Sequence, residues 1–276
     1  MNLGLPAFGA AFSALLMLAL AMKWKLPKLQ ALIGVAAAAI LTALPFVWIY
    51  PLLKSEFGLG VVALGQISVA LAFGLLLVLL RFWRDPERVP PETGGVVLSA
   101  ADGEVVYVWN IAEGSATVVS KGGRNYRLDE LTGTKLATSA VHVVGVGMSF
   151  LDVHVNRCPI SGQVKLMTHI PGKFMSLGRD EAPFVNERLT TVLENHSLNI
   201  AVVQISSRLV RCVQSYLKVG ETVSAGQRLG MIRFGSLVAI IIPDREDVQI
   251  EVKPGDHVRA GTSVLARYPA GTAPLL

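Results

Sequence analysis

The chain's hydropathy falls into two regimes. Three apolar stretches come first: "LGLPAFGAAFSALLMLALAM" (3–22), "LQALIGVAAAAILTALPFVWIY" (29–50) and "LGVVALGQISVALAFGLLLVLL" (59–80). None contains an ionised side chain, and each is near the ~20 residues a helix needs to cross the hydrocarbon core. The pattern predicts an anchor over 1–83 made of three transmembrane helices. "RDPERVPPETGG" (84–95) then breaks the helical pattern with three prolines and two glycines and reads as a linker. From Val96 onward, short β-branched runs such as "HVVGVGM", "GQVKLMTHI" and "LNIAVVQIS" alternate with turn residues. A mainly β domain is expected over 96–276.

An internal repeat sharpens that expectation. "VGETVSAGQRL" from Val219 parallels "PGDHVRAGTSVL" from Pro254, with Gly220 and Gly226 matching Gly255 and Gly261. A shorter echo joins "DGEV" (102–105) to "SGQV" (161–164). Paired turns of this kind resemble the hammerhead-type sandwich of biotinyl and lipoyl carriers. They imply a barrel-sandwich-hybrid-like fold with carrier-type repeats. A carrier presents a lysine in the hairpin between its repeats; this chain has Gly235-Ser236 there.

Composition narrows the partners. Hydrophobic residues make up 52% of the chain, the net charge is +5, and only two cysteines occur, Cys158 and Cys212. The mean hydropathy of +0.52 reflects the N-terminal third. No dense basic run with interleaved aromatics is present, so nucleic acid is not the expected partner. An anionic membrane surface suits the positive charge better. Two cysteines without a CxxC spacing argue against a disulfide scaffold or a zinc site. Lys23, Lys25 and Lys28 follow the first apolar stretch, and Arg81, Arg84 and Arg88 follow the third. The positive-inside rule then puts the β domain on the cytoplasmic side of the cell membrane.

Candidate chemistry lies in four places. Asp102 precedes Gly103 in "SAADGEV", where a carboxylate can cap a turn or orient a histidine. In "FLDVHVNRCPISGQV", Asp152, His154 and Asn156 share one face if the segment is a strand. No HxH or HxxxH spacing supports a metal. The polar stretch 169–195 offers Lys173, Arg179, Asn186 and Arg188 as phosphate or substrate contacts, Arg through its planar fork of donors. In "MIRFGSLVAI", Gly235-Ser236 is either a bulge in a strand or a site where the hydroxyl attacks the preceding carbonyl.

Together, "FWRDPERVPP", "SAADGEV", "FLDVHVNRCPISGQV", "GKF", "NER", "VVQIS" and "RFGS" resemble the shorter, membrane-anchored prokaryotic phosphatidylserine decarboxylases. The resemblance implies self-cleavage between Gly235 and Ser236. The products would be a β chain ending at Gly235 and an α chain beginning with a pyruvoyl group made from Ser236, held together as a heterodimer. It implies that Asp102 and His154 drive the cut with Ser236. It also implies decarboxylation of phosphatidylserine to phosphatidylethanolamine through a pyruvoyl Schiff base, without PLP or metal. Three positions depart from the family pattern: Ala100, Leu237 and Glu181. A decarboxylase of another serine-headed lipid, or a membrane-tethered carrier-like adaptor, are the alternative readings.

Overall fold

The computed structural model describes residues 4–23, 28–49, 56–91, 94–112, 117–121, 124–134, 140–149, 152–207, 213–232 and 236–269. The chain divides into two compact units, Met1–Arg81 and Phe82–Leu276.

The first unit holds α1 (Gly4–Lys23), α2 (Lys28–Ile49) and most of α3 (Glu56–Phe82). These helices of 20, 22 and 27 residues overlie the three apolar stretches. Their few polar side chains turn inward. Ser13 donates to the Gly9 carbonyl at 2.8 Å and Thr42 to that of Ala38 at 2.7 Å, which satisfies each hydroxyl within its own helix. Among the described residues no helix meets both the length and the apolarity of a membrane span. The spanning reading therefore rests on the sequence.

The second unit is mainly β. Its strands are β1 (Val96–Leu98), β2 (Gly103–Ile111), β3 (Thr117–Lys121), β4 (Arg124–Arg127), β5 (Val141–Met148), β6 (Val155–Arg157), β7 (Gly162–Ile170) and β8 (Arg188–Glu194). There follow β9 (Asn199–Ile205), β10 (Val213–Ser215), β11 (Thr222–Val223), β12 (Arg228–Ile232), β13 (Ser236–Pro243), β14 (Gln249–Ile250), β15 (His257–Val258) and β16 (Val264–Arg267). Two short helices interrupt them, α4 (Leu128–Thr132) and α5 (Ala182–Val185). An eight-stranded antiparallel sheet runs β11-β7-β8-β9-β13-β5-β2-β15. Two three-stranded sheets, β1-β16-β14 and β10-β12-β6, accompany it.

β13 is central, bonded to β9 on one edge and to β5 on the other. Residues 236–242 are all buried, the signature of a strand covered on both faces. Val238, Ile240 and Ile242 pack into one core with Val144, Val146 and Val202. Leu237, Ala239 and Ile241 pack into the other with Val143, Val203 and Phe184. Alternation puts Ser236 on the Val238 side. Leu237, a departure from the family pattern, is a core residue of the second face. Each such side chain contributes roughly 1.5–3 kcal/mol of burial.

The internal repeat is a structural one. Gly220 and Gly255 have φ of 88° and 95°, and Gly226 and Gly261 have 79° and 72°. This left-handed region favours glycine. The bonds match as well: Gly220 N–H donates to Val164 O at 2.7 Å, as Gly255 N–H does to Val105 O at 2.8 Å. β11 lies against the start of β7, and β15 against the start of β2.

Candidate active site

Asp102 is placed by its own half of the repeat. After β1 the chain turns through Ser99–Asp102 into Gly103, whose φ is 147°. A Cβ there would lie 2.1 Å from the Gly147 carbonyl oxygen, so β5 closes on this turn only because residue 103 is glycine. Asp102 Oδ1 accepts from the Ala260 N–H at 2.8 Å. In the other half, Ser161 Oγ accepts from the Ala225 N–H at 2.9 Å. A hydroxyl is thus enough to cap this turn, and the carboxylate brings a charge that the turn does not need. Asp102 is only 6% exposed. Its charge is met by Arg88, which donates from Nη1 to Oδ1 and from Nη2 to Oδ2, the latter at 2.8 Å. Such a two-pronged pair is the strong form of ionic hydrogen bond.

His154 precedes β6 and is fully buried. Its carbonyl accepts from the Ile232 N–H at 3.2 Å, which ties it to the end of β12, four residues before Ser236. Nδ1 lies 2.9 Å from the Asp152 carbonyl oxygen, while Nε2 is buried without a hydrogen-bond partner. The Phe82 ring covers the imidazole, with centroids 4.2 Å apart. Burial pushes the imidazole below its usual pKa; the Asp152 carbonyl, the Asp152 charge and the Asp102 charge oppose this, and Arg84 adds to it. The result favours a neutral imidazole, with Nδ1–H held by the carbonyl and Nε2 left as the acceptor.

Ser236 is 1% exposed and opens β13, opposite Met148. Its Oγ donates to Met148 Sδ at 3.0 Å. The same sulfur lies 3.8 Å from Asn156 Nδ2, and Asn156 Oδ1 accepts from Gln204 Nε2 at 2.8 Å. Met148 therefore joins Ser236 to the His154 segment. No hydrogen bond links Ser236 to His154, or His154 to Asp102, among the described residues. Gly235 lies outside the described residues, as does Cys212. Asn156 and Gln204 are fully buried polar groups, and Gln204 Oε1 has no partner. The period-two pattern gave Asn156; Gln204 lies within the "VVQIS" motif, but no spacing marked its side chain as a site residue. Asp152 departs from that pattern. β6 starts only at Val155, and the Asp152 carboxylate accepts from the Ser149 N–H at 2.7 Å, which makes it a turn residue.

The four candidate substrate contacts divide into two pairs. Arg188 is buried and donates to three backbone carbonyls, those of Leu131 and Asn186 at 2.8 Å each and that of Glu130. Asn186 is buried, accepts from Met175 N–H at 2.8 Å and donates to Met175 and Ser206 carbonyls at 2.9 Å. Both side chains bond to the backbone, Asn186 with both of its N–H donors and Arg188 with three of its five. Lys173 and Arg179 are exposed, and Arg179 makes only a 3.9 Å pair with Glu181. Among the described residues no cluster of His, Cys, Asp or Glu could hold a metal. Cys158 is a buried free thiol whose pKa burial pushes up to about 12.

The stretch after α3 is held at Asp85, Pro86 and Glu87. Arg157 Nη2 donates to Asp85 Oδ1 at 3.1 Å and to Pro86 O at 2.9 Å. Arg228 pairs with Asp85 and with Glu87, the second at 2.5 Å. The segment read as a linker is a strap across the repeats.

The chain is similar to several known proteins. Residues 75–266 match the family model described as phosphatidylserine decarboxylase. A Symbiobacterium thermophilum protein named phosphatidylserine decarboxylase proenzyme is 34% identical over 201 residues, 72% of this chain and 83% of its own. A Pelobacter propionicus protein of the same name is 36% identical over 211 residues, 74% of this chain and 86% of its own. A Methanocaldococcus jannaschii protein, provisionally named archaetidylserine decarboxylase proenzyme, is 38% identical over 192 residues, 70% of this chain and 90% of its own. The matched span includes the strap, both halves of the repeat, Asp102, His154 and Ser236. With the family model covering well over half its length, the chain belongs to the phosphatidylserine decarboxylase family.

Proposed function

We propose that the chain is a proenzyme that cuts itself between Gly235 and Ser236 and then decarboxylates a serine-headed glycerophospholipid, phosphatidylserine foremost. The observation that carries this reading is a buried Ser236 at the start of the central strand, joined through Met148 to the segment of a buried His154 whose Nε2 has no hydrogen-bond partner. In the cut, the Ser236 Oγ–H bond breaks and Oγ bonds to the Gly235 carbonyl carbon. The C–N bond between Gly235 and Ser236 breaks, and the Ser236 nitrogen leaves as an amine. His154 Nε2, the unpartnered acceptor, takes the hydroxyl proton. Asp102 steadies the positive charge that His154 then carries. Loss of the Cα proton expels the Gly235 carboxylate with Oγ, leaving dehydroalanine. Its tautomer takes up water and releases ammonia, giving the pyruvoyl end.

The site fits that group. The strand end is dry, and His154 Nε2 and Gln204 Oε1 are buried polar atoms awaiting partners. When formed, the pyruvoyl carbonyl serves as an electron sink for loss of CO₂ from an amino acid. His154 is placed to hold or return the proton that replaces the carboxylate. Lys173 and Arg179 are the exposed cations left to meet an anionic head group.

Membrane attachment is part of the same reading. The apolar side chains of Leu15, Leu32, Leu64 and Leu80 are 62–67% exposed on their helices, as lipid-facing residues would be. α1–α3 then anchor the chain in the cell membrane with the β domain on the cytoplasmic face. We read the paired Gly turns as the carrier-type sandwich suggested by the sequence. The archaeal relative's name favours a second reading, decarboxylation of archaetidylserine. The test supplies purified chain with each lipid in mixed micelles and measures CO₂ and the amine product. Turnover of phosphatidylserine supports the first reading, preference for the ether lipid the second, and an uncut chain inert on both overturns the proposal.

A further inference from the structure

The last residue of α3 and one residue of the strap touch two residues of the site. Phe82 ends α3 and lies on the face of His154. Six residues on, Arg88 holds both oxygens of Asp102 and also donates to the Ala260 carbonyl at 2.8 Å. Phe82 is fully buried, so its ring keeps water from the imidazole. We propose that Phe82 and Arg88 are positioning residues for His154, and that the strap sets whether its imidazole is a neutral base. This inference rests on the reading of His154 as the base for Ser236.

The argument follows from charge and solvent. The groups facing His154 are the Asp152 carbonyl and carboxylate from its own segment, Asp102 from the β1–β2 turn, Arg84 from the strap and the Phe82 ring. A bare carboxylate at position 102 would favour the imidazolium, which cannot accept the Ser236 proton. Arg88 offsets that charge and fixes the carboxylate's orientation through two donors and the Ala260 anchor. Phe82 acts in the same direction by excluding water. The ends of the strap thus converge on one protonation state. The Asp85–Arg157, Asp85–Arg228 and Glu87–Arg228 pairs between them hold the strap in register but touch neither His154 nor Asp102.

The experiment follows self-cleavage of the full chain, made by cell-free synthesis with lipid or detergent and moved to buffers from pH 5 to 9. The readout is the pH at half-maximal rate on the acid limb. Arg88→Gln should move that limb up by about half a pH unit or more, and Arg88→Lys, which keeps the charge, should restore it. Phe82→Ala should move it up by admitting water, whereas Phe82→Leu should not. Arg228→Gln, which loosens the strap elsewhere, should leave it in place. A wild-type limb in both Arg88→Gln and Phe82→Ala overturns the inference, as does an equal shift in Arg228→Gln. If Arg88→Gln does not fold, the Phe82 pair decides. The underlying reading fails separately, if His154→Ala or Ser236→Ala still splits.

Discussion

Asp102 and Ser161 hold equivalent turns in the two halves of the repeat, one with a carboxylate and the other with a hydroxyl. The turn itself needs only the hydroxyl, so on the proposed mechanism the carboxylate serves His154. Asp102→Ser should keep the turn but leave Arg88 unpaired, at a cost of roughly 3–5 kcal/mol. Asp102→Ser with Arg88→Met should recover most of that stability in thermal unfolding while self-cleavage stays slow. Recovery of cleavage in the double variant would show that Asp102 acts only through the fold.

Ser236→Ala should leave an uncut chain near 29.5 kDa on a denaturing gel. Among the described residues the hydroxyl donates to a thioether, so the fold should lose less than about 1 kcal/mol. Loss of cutting would then report on chemistry. Intact mass of the wild type should show a 236–276 fragment with a blocked end, and hydroxylamine should inactivate the enzyme.

The acid limb of the cleavage rate should lie below the ordinary imidazole value of about 6.5, because burial lowers the His154 pKa. The same shift has a sign for stability. A histidine whose folded pKa is depressed favours the fold above its unfolded value. That contribution is lost as pH falls from about 6.5 through the lower folded value. The melting temperature should therefore drop across that window in wild type and drop less in His154→Gln.

Arg188→Ala removes donors to three buried carbonyls and should destabilise the β domain by about 2–4 kcal/mol. Lys173→Ala and Arg179→Ala should stay within about 0.5 kcal/mol of wild type in unfolding. If those cations meet the head group, they should raise KM and leave kcat near wild type. Unchanged kinetics in both variants would move the anion contact elsewhere.

Cys158 should resist alkylation in the native protein and react only after unfolding, as a buried thiol with a pKa of about 12 must. Peptide mass mapping after brief iodoacetamide treatment reads this directly.

Much of the site was legible because its signals are local. Glycine spacing marked the repeat before any coordinates did, since positive φ is a property of single residues. Burial of residues 236–242 followed from an unbroken apolar run. Asp102 stood out as a carboxylate before Gly103 at a turn, and His154 as a polar side chain on the face of an apolar run. What escaped the sequence depends on distant partners. Arg188 looked like a phosphate ligand because its charge is visible in a sequence, whereas the α4 carbonyls that consume its donors are not. The strap looked like a linker because its prolines and glycines are local, while Arg157 and Arg228, which pin it, follow Asp85 by 72 and 143 residues. Leu237 stood out against the family pattern, yet strand parity alone makes it a core residue.

The place of Ser236 on β13 has a consequence for what a mature molecule is. If the chain is cut as proposed, residues 236–276 become a separate polypeptide, yet β13 stays laced between β5 and β9, β15 along β2, and β16 along β1. Unfolding such a molecule is also dissociation, so its apparent stability rises with protein concentration. Refolding needs two strangers to meet, and no peptide bond remains to bring them together. On the proposed cut, each molecule would fold as one chain a single time, and the step that creates its reactive end would also remove its way back.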